Sequence, residues 1–510
     1  MVGLVQEYFS AMSPWTTLVI SAVSVAVVAL SATIACACGK KKKEPEIPLE
    51  PVGMGSALES PQPSPTSMGK SEKEVPKPSA SMKSLYNFSV DFYRSALAVQ
   101  RGSKPSGDNE TLYSTKVVSP LAVQSALYLC YLGSGVATKQ EMRRSVYPQL
   151  LLPDEKSIEQ AIHDLVSMLD GASVETAEVA PFGGFSFALR VYAPSNNFRY
   201  STQFQDLVST QGCRLCDFFE YRFDGGGDRT PIPLPTFVRS INRFVAAASE
   251  GEIKEAANEA QLKAIFAPPR AAGLVVVAQM RIKCNWFISF SQRETAPMEF
   301  VVPGGFKMPM ESMSVRSASF GYYRDAQCQV VRLPLSEPDS RTNLFILLPT
   351  RRGEILALES YMTGDRLWAI MHRCRDTDVK VIVPKMFIDA KLSPAKVMET
   401  LQALGLRNAF DPHQADFSPM LEGKTRLPLH IAAVIHDAIF EAYEEAGMAQ
   451  AENMANRGRP KKTFKADHPF MFVVTSGRHS PVLLMIGRFG GRPYYKMLQE
   501  KTKQRSVSVR

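Results

Sequence analysis

Four short apolar runs rich in β-branched residues lie in the second half of the chain, and they constrain the fold more than any other feature. They are bounded mostly by Gly, Pro or Asn and read GLVVVAQMRI, TNLFILLPT, VKVIVPKMFI and SPVLLMIGRF. Short apolar runs between turn residues are typical of buried strands. Helical patterns cluster early in the chain and strands dominate later, so the order is not a repeated βαβ arrangement. The sequence therefore predicts an α+β fold.

Three segments show helical patterns. In SLYNFSVDFYRSALAVQ, apolar residues recur at helical spacing, namely Leu85, Phe88, Phe92 and Leu97. SPLAVQSALYLCYLG begins with Ser119 and Pro120, a helix-entry signal, and is apolar nearly all round, which predicts a buried helix. SPAKVMETLQALGL has Ser393 as its expected N-cap and ends at Gly405.

The composition supports one large domain. The chain has 510 residues, of which 45% are hydrophobic and 21% charged, so a large core can form. Because no linker interrupts the globular part, we expect one domain over 84–493 and a basic tail over 494–510. Eight sparse cysteines, mostly in apolar runs, indicate free buried thiols rather than a disulfide framework.

The first 83 residues differ in composition from the rest. Residues 15–38 carry no charge over 24 positions, which is long enough to cross a bilayer, and Lys40 to Lys43 follow directly. Two interpretations stay open for residues 1–39: a cleaved signal peptide or a retained membrane anchor. Residues 40–83 are rich in Lys, Glu, Pro and Ser, which predicts a disordered linker. Either interpretation predicts a secreted or membrane-anchored protein.

No constellation for catalysis or metal binding is present in the sequence. Seven histidines are scattered, and there is no GxSxG motif, phosphate-binding loop or metal-ligand spacing. Cys213 and Cys216 form a CxxC motif without a second pair of ligands, so we interpret them as ordinary cysteines. We therefore predict no enzyme activity, no cofactor and no metal site.

The stretch NRGRPKKTF, residues 456–464, combines Arg457, Arg459, Lys461 and Lys462 with no acid. It has two interpretations. Arg-Gly-Arg-Pro is typical of an AT-hook, which places arginines in the minor groove of A·T-rich DNA. The same basic residues are also cleavage sites for proteases that cut after Arg or Lys. The net charge of +9 comes largely from this cluster and from Lys40 to Lys43, so the basicity is local.

The chain resembles the serpin family over nearly all of residues 84–493. The matching segments, in chain order, are NFSVDFYRSAL, VVSPLAVQSALYLCYLGSGVATKQEM, INRFVAAASEGEIKE, IKCNWFISF, VVRLPL, NLFILLPT, VIVPKMFI, LQALGLRNAF with ADFSPM, HDAIFEAYEEAG, and FKADHPFMFVV with LLMIGRF. Any one match is weak, but ten in order form a strong signal.

The resemblance implies a fold of three β-sheets with about nine helices and an exposed reactive-centre loop near the C-terminal end. It also implies a suicide mechanism against a serine or cysteine protease. The target cleaves the loop and forms an acyl-enzyme, and the loop then inserts as a new strand into the central sheet. The protease is carried across and distorted, and the strain of the native state is released.

Several positions of the family's polar shutter cluster differ in this chain. Ser119 and His436 match the family, but Ala122 replaces a second serine. Ala278, with Gln279 beside it, occupies the place of a buried Asn. We therefore expect a buried His436 with missing partners, which is destabilising unless water or Gln279 takes their place.

The hinge of the loop is suited to insertion as a strand. The resemblance assigns it to Glu444, Glu445, Ala446, Gly447, Ala449 and Ala451. Side chains alternate between faces at period two, so small residues fall on one face and longer residues on the other. No proline blocks the ladder before residue 460. The family usually has Gly then Thr where this chain has Ala446 then Gly447. This difference leaves open whether the loop inserts into the sheet.

The same resemblance places the scissile bond near Pro460 and Lys461. Lys461 and Lys462 are the first candidates, Arg459 follows because Pro460 hinders cleavage after it, and Arg457 leaves a short strand. A basic residue before the bond implies a trypsin-like target. We also expect the protein to act as a monomer. Two alternatives stay open: a non-inhibitory serpin acting as chaperone or carrier, and a DNA-binding serpin that uses Arg457 to Lys462.

Overall fold

The computed structural model describes most of the chain from Val75 to Gly491. The described ranges are 75–102, 114–177, 184–195, 198–211, 216–221, 233–249, 251, 253–265, 273–290, 292–302, 305–335, 342–423, 429–443, 459–477 and 481–491. They all belong to one compact unit, Lys73–Arg510.

Ten α-helices lie within the described ranges. They are α1 (Ala80–Gly102), α2 (Pro120–Leu132), α3 (Val136–Ser145), α4 (Glu155–Ala177), α5 (Thr202–Gln211), α6 (Leu234–Ala248), α7 (Glu259–Ile265), α8 (Ile355–Tyr361), α9 (Gly364–Arg373) and α10 (Pro394–Ala403). The predicted helices correspond to α1, α2 and α10. Ser119 and Ser393 cap α2 and α10 by accepting a hydrogen bond from the backbone N–H three residues on. Gly405, just past α10, has φ of 106°, a conformation that favours glycine.

Fourteen strands lie in the same ranges. They are β1 (Lys116–Val118), β2 (Gly184–Pro194), β3 (Cys216–Tyr221), β4 (Leu274–Asn285), β5 (Ala296–Val301), β6 (Lys307–Arg324), β7 (Cys328–Pro334), β8 (Asn343–Pro349), β9 (Arg375–Pro384), β10 (Phe387–Leu392), β11 (Ile431–Tyr443), β12 (Lys462–Lys465), β13 (Phe470–Ser476) and β14 (Val482–Phe489). The four β-rich runs correspond to β4, β8, β9 with β10, and β14, so the predicted α+β class is confirmed.

The smaller sheet has five strands in the order β10-β11-β4-β2-β3. Two of its inner strands, β11 and β4, run parallel and pair from Ile431 with Leu274 to Tyr443 with Asn285. Their neighbours β10 and β2 pair with them antiparallel. The middle of the sheet is therefore a seam between two parallel strands that are distant in sequence.

The larger sheet has nine strands in the order β1-β14-β13-β8-β7-β6-β9-β12, with β5 also paired to β6. The resemblance implied three sheets, whereas hydrogen bonding joins the described strands into two. The 18-residue strand β6 is the reason, because its first part pairs with β5 and its last part with β7. In the pairing of β6 with β9, a register irregularity between Val315 and Ala318 separates the part of β6 that pairs with β5 from the part that pairs with β7.

The two faces of the five-stranded sheet border different hydrophobic cores. Even-numbered residues of β4, such as Val276 and Met280, join the main core with α1, α2 and the larger sheet. Odd-numbered residues, such as Val275 and Val277, join a smaller core with α6 and α7. This alternation follows from the period-two geometry of a strand buried on both faces.

A buried ion pair lies within the main core. Arg488 on β14 places Nη1 3.0 Å from Glu359 Oε2 on α8, and both side chains are almost fully buried. The Tyr93 hydroxyl donates to the other oxygen of Glu359 at 2.7 Å. The Arg488 Nε–H donates to the Ser114 carbonyl at 3.2 Å. Both charged groups are thus hydrogen-bonded, as burial in a low dielectric requires.

The ordered fold begins earlier than the predicted boundary at residue 84. Helix α1 starts at Ala80, and the Trp368 indole N–H donates to the Pro76 carbonyl at 2.7 Å. Residues 75–83 are therefore part of the folded domain rather than the linker. Composition could not predict this boundary, because the contact at Pro76 is made by its backbone carbonyl and not by its side chain.

Two further predictions concern segments that are described only in part. The described cysteines Cys130, Cys216, Cys284, Cys328 and Cys374 are free thiols, and all but the half-buried Cys284 are buried. No helix in the described ranges is long and apolar enough to cross a membrane. Residues 15–38, on which the predicted membrane segment falls, lie outside those ranges.

Candidate functional site

The seam between β4 and β11 is the structural feature that a strand-insertion mechanism requires. The chain leaves β11 at Tyr443 and is described again from Arg459, just before β12. A strand that continued from the end of β11 would have to turn back and run antiparallel to it. Because β4 is parallel to β11, the returning strand would also be antiparallel to β4. The seam could therefore accept one strand with regular hydrogen bonding on both sides.

The hinge residues lie outside the described ranges. They are Glu444, Glu445, Ala446, Gly447, Ala449 and Ala451, and Arg457 lies there as well. Their predicted roles stay predictions.

His436 on β11 bridges the seam on the face of the main core. Its Nδ1 lies 2.6 Å from the carbonyl oxygen of Ala278, its register partner on β4. Its Nε2 lies 3.1 Å from the backbone nitrogen of Ser119. A carbonyl only accepts and an amide N–H only donates, so Nδ1 carries the proton and Nε2 accepts. This arrangement requires the neutral imidazole.

Burial explains why this histidine stays neutral. His436 is almost fully buried, and desolvation lowers its pKa to about 4, although the bond to the Ala278 carbonyl acts in the opposite direction. The Phe92 ring packs against the imidazole edge with centroids 6.1 Å apart. Protonation would place a second N–H at Nε2, facing the Ser119 N–H, so the contact would become repulsive.

Ser119 has two further roles at this site. Its hydroxyl donates to the Leu484 carbonyl on β14 at 2.8 Å and accepts from the Ala122 N–H at 3.4 Å. The seam is thus connected through Ser119 to both α2 and the larger sheet. The structure brings together Ser119 and His436, the two residues that the sequence assigned to the shutter.

The expectation that His436 lacks partners is wrong for a physical reason. Backbone groups of Ala278 and Ser119 satisfy both ring nitrogens, so the side chains absent at Ala122 and Ala278 are not needed. Gln279 does not take their place, because it points to the opposite face of the sheet. There its Nε2 donates to Asp437 Oδ2 at 3.1 Å.

The described part of the basic cluster is attached to the edge of the larger sheet. The Lys461 N–H donates to the Asp378 carbonyl at 2.9 Å, and its ammonium group lies 3.1 Å from the Asp378 carboxylate. Lys462 is the first residue of β12 and pairs with Val379 in parallel register. Arg459 precedes this anchor and is exposed. The lysines are therefore solvent-accessible side chains on a backbone that is already paired.

A second polar group, which sequence reasoning missed, holds the end of β12. Asp467 accepts hydrogen bonds from His468 at 2.8 Å and from Arg352 at 2.5 Å. Burial alone would raise the pKa of Asp467, but these two hydrogen bonds lower it to about 2. The other ring nitrogen of His468 lies 3.0 Å from the Pro349 carbonyl. Only the motif ADHPF signalled this group in the sequence.

Metal-ligating side chains are scattered over the ranges that the structure describes. Within those ranges, no three His, Cys, Asp or Glu side chains come together as a metal site.

The fold and the seam define a class of protein: an α+β domain with a sheet in which two strands distant in sequence, β4 and β11, pair in parallel. The family described as Serpin (serine protease inhibitor) matches residues 107–490. Since this match covers most of the chain, the protein belongs to the serpin family.

Individual relatives and solved structures agree with this assignment. Serpin H1 of Mus musculus is 27% identical over 378 residues, which cover 73% of this chain and 81% of the relative. The native state of tengpin, a thermophilic serpin, superimposes with a TM-score of 0.62 at 18% identity, covering 82% of this chain and 95% of tengpin. Uncleaved ovalbumin gives 0.62 at 20% identity, covering 80% of this chain and all of ovalbumin. These structural similarities establish the fold, and with it the predicted serpin architecture.

Proposed function

We propose that this protein is a suicide inhibitor of a trypsin-like serine protease. The observation that carries the proposal is the direct parallel pairing of β4 and β11, with the loop starting at the end of β11. A cleaved loop could enter this seam and add a strand, which would carry a covalently attached protease with it. The same pairing means that the seam is still closed and that insertion would gain new backbone hydrogen bonds.

We place the scissile bond before Lys461. A protease must hold residues on both sides of the bond in its cleft, and the backbone at Lys461 and Lys462 is already paired to β9. This favours Arg457 or Arg459 over the two lysines that family spacing favoured. Pro460 hinders cleavage after Arg459, so Arg457 is our first choice.

The length of the loop is compatible with cleavage after Arg457. Fourteen residues run from Glu444 to Arg457, and β4 has 12 residues. A reversal of about two residues would leave a strand long enough to pair along β4. Cleavage after Arg457 gives the shortest insertable strand of the four candidates, but the 12-residue length of β4 supports the view that this strand is long enough.

The test is incubation of the full chain with trypsin, followed by denaturing electrophoresis and mass spectrometry of the released peptide. We expect a complex that survives denaturation and a peptide starting at Gly458. A peptide starting at Lys462 or Thr463 would instead support Lys461 or Lys462. Arg457→Ala should abolish trapping, and Lys461→Ala is the matched control, since it removes a neighbouring cation of the same cluster.

Two other functions predict different outcomes. A non-inhibitory serpin, acting as chaperone or carrier, is favoured by the Ala446-Gly447 hinge and would be cleaved without trapping. DNA binding through Arg457 to Lys462 would weaken steeply with salt, whereas a covalent complex would not. An AT-hook has to be an extended peptide that can lie along the minor groove. The backbone of Lys461 and Lys462 is instead paired with β9, so we rank DNA binding last.

We also propose that the protein acts outside the cell or at a membrane. The support is the charge-free segment 15–38 followed by Lys40 to Lys43. Fractionation of cells that express the full chain, with N-terminal sequencing of the product, distinguishes a cleaved signal peptide from a retained anchor. A full-length product free in the cytosol would contradict both.

A further inference from the structure

The seam between β4 and β11 is bridged by side chains on both of its faces at adjacent positions. The register pairs His436 with Ala278 and, one residue further along, Asp437 with Gln279. Because successive residues of a strand point to opposite faces, His436 lies in the main core while Asp437 and Gln279 face α6. The family's shutter covers only the first of these contacts.

The second contact is a buried hydrogen bond between two side chains. The Gln279 amide donates from Nε2 to Asp437 Oδ2 at 3.1 Å. Gln279 is 1% exposed and Asp437 is 3% exposed. Val245 and Ala248 of α6, together with Ser249 directly after it, border the space around Gln279. Water therefore has little access to the bond, and a hydrogen bond is stronger in such low-dielectric surroundings than in water.

Opening of the seam must break this bond. Adjacent strands lie about 4.8 Å apart, and a strand inserted between them roughly doubles that separation. Donor and acceptor would then lie beyond hydrogen-bonding distance. The side chains of neighbouring residues on the same face, such as Val277 and Ile435, are apolar and form no hydrogen bond across the seam.

We propose that the Gln279–Asp437 hydrogen bond is a second restraint on sheet opening, on the α6 face, and that it sets the rate at which the seam admits a strand. This inference rests on the proposed inhibitory function, since it concerns the step that traps the protease. Gln279 and Asp437 are positioning residues: they hold β4 against β11 until a strand from the loop replaces their contact.

The test uses Gln279→Met, which keeps a similar side-chain volume and removes the donor. The full-length protein is mixed with a fluorescent synthetic peptide of residues 444–457, and the rate at which the peptide anneals into the sheet is measured. We expect annealing to be ~10-fold faster than in the wild type, which corresponds to about 1.4 kcal/mol. Asp437→Asn weakens the bond without removing it, and it should give an intermediate rate.

The matched control is Tyr147→Phe. It removes another buried hydrogen bond, from the Tyr147 hydroxyl to the Gln124 carbonyl at 2.8 Å, that does not cross the seam. This variant should anneal the peptide at the wild-type rate. Equal acceleration in Tyr147→Phe and Gln279→Met would overturn the proposal, because general destabilisation would then explain both.

The remaining outcomes separate the restraint from the inhibitory function. An unchanged rate in Gln279→Met and Asp437→Asn overturns the restraint, whatever the protease assay shows. Failure of the peptide to enter any variant overturns it as well. Faster annealing of Gln279→Met, together with an absence of protease trapping in the wild type, supports the restraint and refutes only the proposed inhibition.

Discussion

Acidification should destabilise this protein through His436, and the structure gives the size of the effect. The folded state needs a neutral imidazole, with a pKa of about 4 against an ordinary value of 6.5. Between these two values the unfolded chain binds the proton more readily than the folded protein. The stabilisation is therefore complete above about pH 6.5 and is lost as the pH falls toward 4.

The magnitude follows from the shift in pKa. The full loss below pH 4 is about 3 kcal/mol, and about 2 kcal/mol of it should appear between pH 7.5 and pH 5. A loss of this size is large for a folded domain, whose total stability is roughly 5–15 kcal/mol.

The assay is urea-induced unfolding of the wild type and of His436→Gln at pH 7.5 and pH 5. Other titrating groups contribute equally to both proteins, so the difference between their pH responses isolates His436. The wild type should lose about 2 kcal/mol more than the variant. A parallel loss in the two proteins would refute the reasoning, because His436 would then not be the group that resists protonation.

Three further predictions test other parts of the structure. Arg488→Met removes the cation beside the buried Glu359 carboxylate, so it should lower the free energy of unfolding by about 3–5 kcal/mol; a loss below about 1 kcal/mol in urea unfolding would contradict the buried pair. Ser119→Ala removes an N-cap and a buried hydroxyl contact, so calorimetry should show a decrease of about 1–2 kcal/mol in the free energy of unfolding. An unchanged free energy of unfolding would contradict the role of the cap. Ala449→Arg should convert the inhibitor into a substrate, because a long cation would enter the core face on insertion, whereas Gln450→Arg on the opposite face should still trap trypsin; equal trapping by both would mean that the alternation is misassigned.

Much of the fold could be predicted from the sequence because its signals are local. The spacing of Leu85, Phe88 and Phe92 gave α1, and the caps Ser119 and Ser393 gave the starts of α2 and α10. The family resemblance then supplied the arrangement of these elements, which periodicity alone could not.

The details of the seam could not be predicted, because they depend on register and on backbone groups. Gln279 and Asp437 are 158 residues apart, and only the pairing of β4 with β11 makes them partners. The partners of His436 are a carbonyl and an N–H, which every residue carries, so the sequence gives no sign of them. The expectation of an unsatisfied histidine failed for this reason.

The central claim is that the loop enters the seam after cleavage and traps the protease. The most direct measurement is the incubation of the full chain with trypsin, followed by denaturing electrophoresis. The account predicts a covalent complex of chain and protease and the release of the C-terminal peptide that starts at Gly458. Complete cleavage of the chain with no complex, and with trypsin still active, would contradict it.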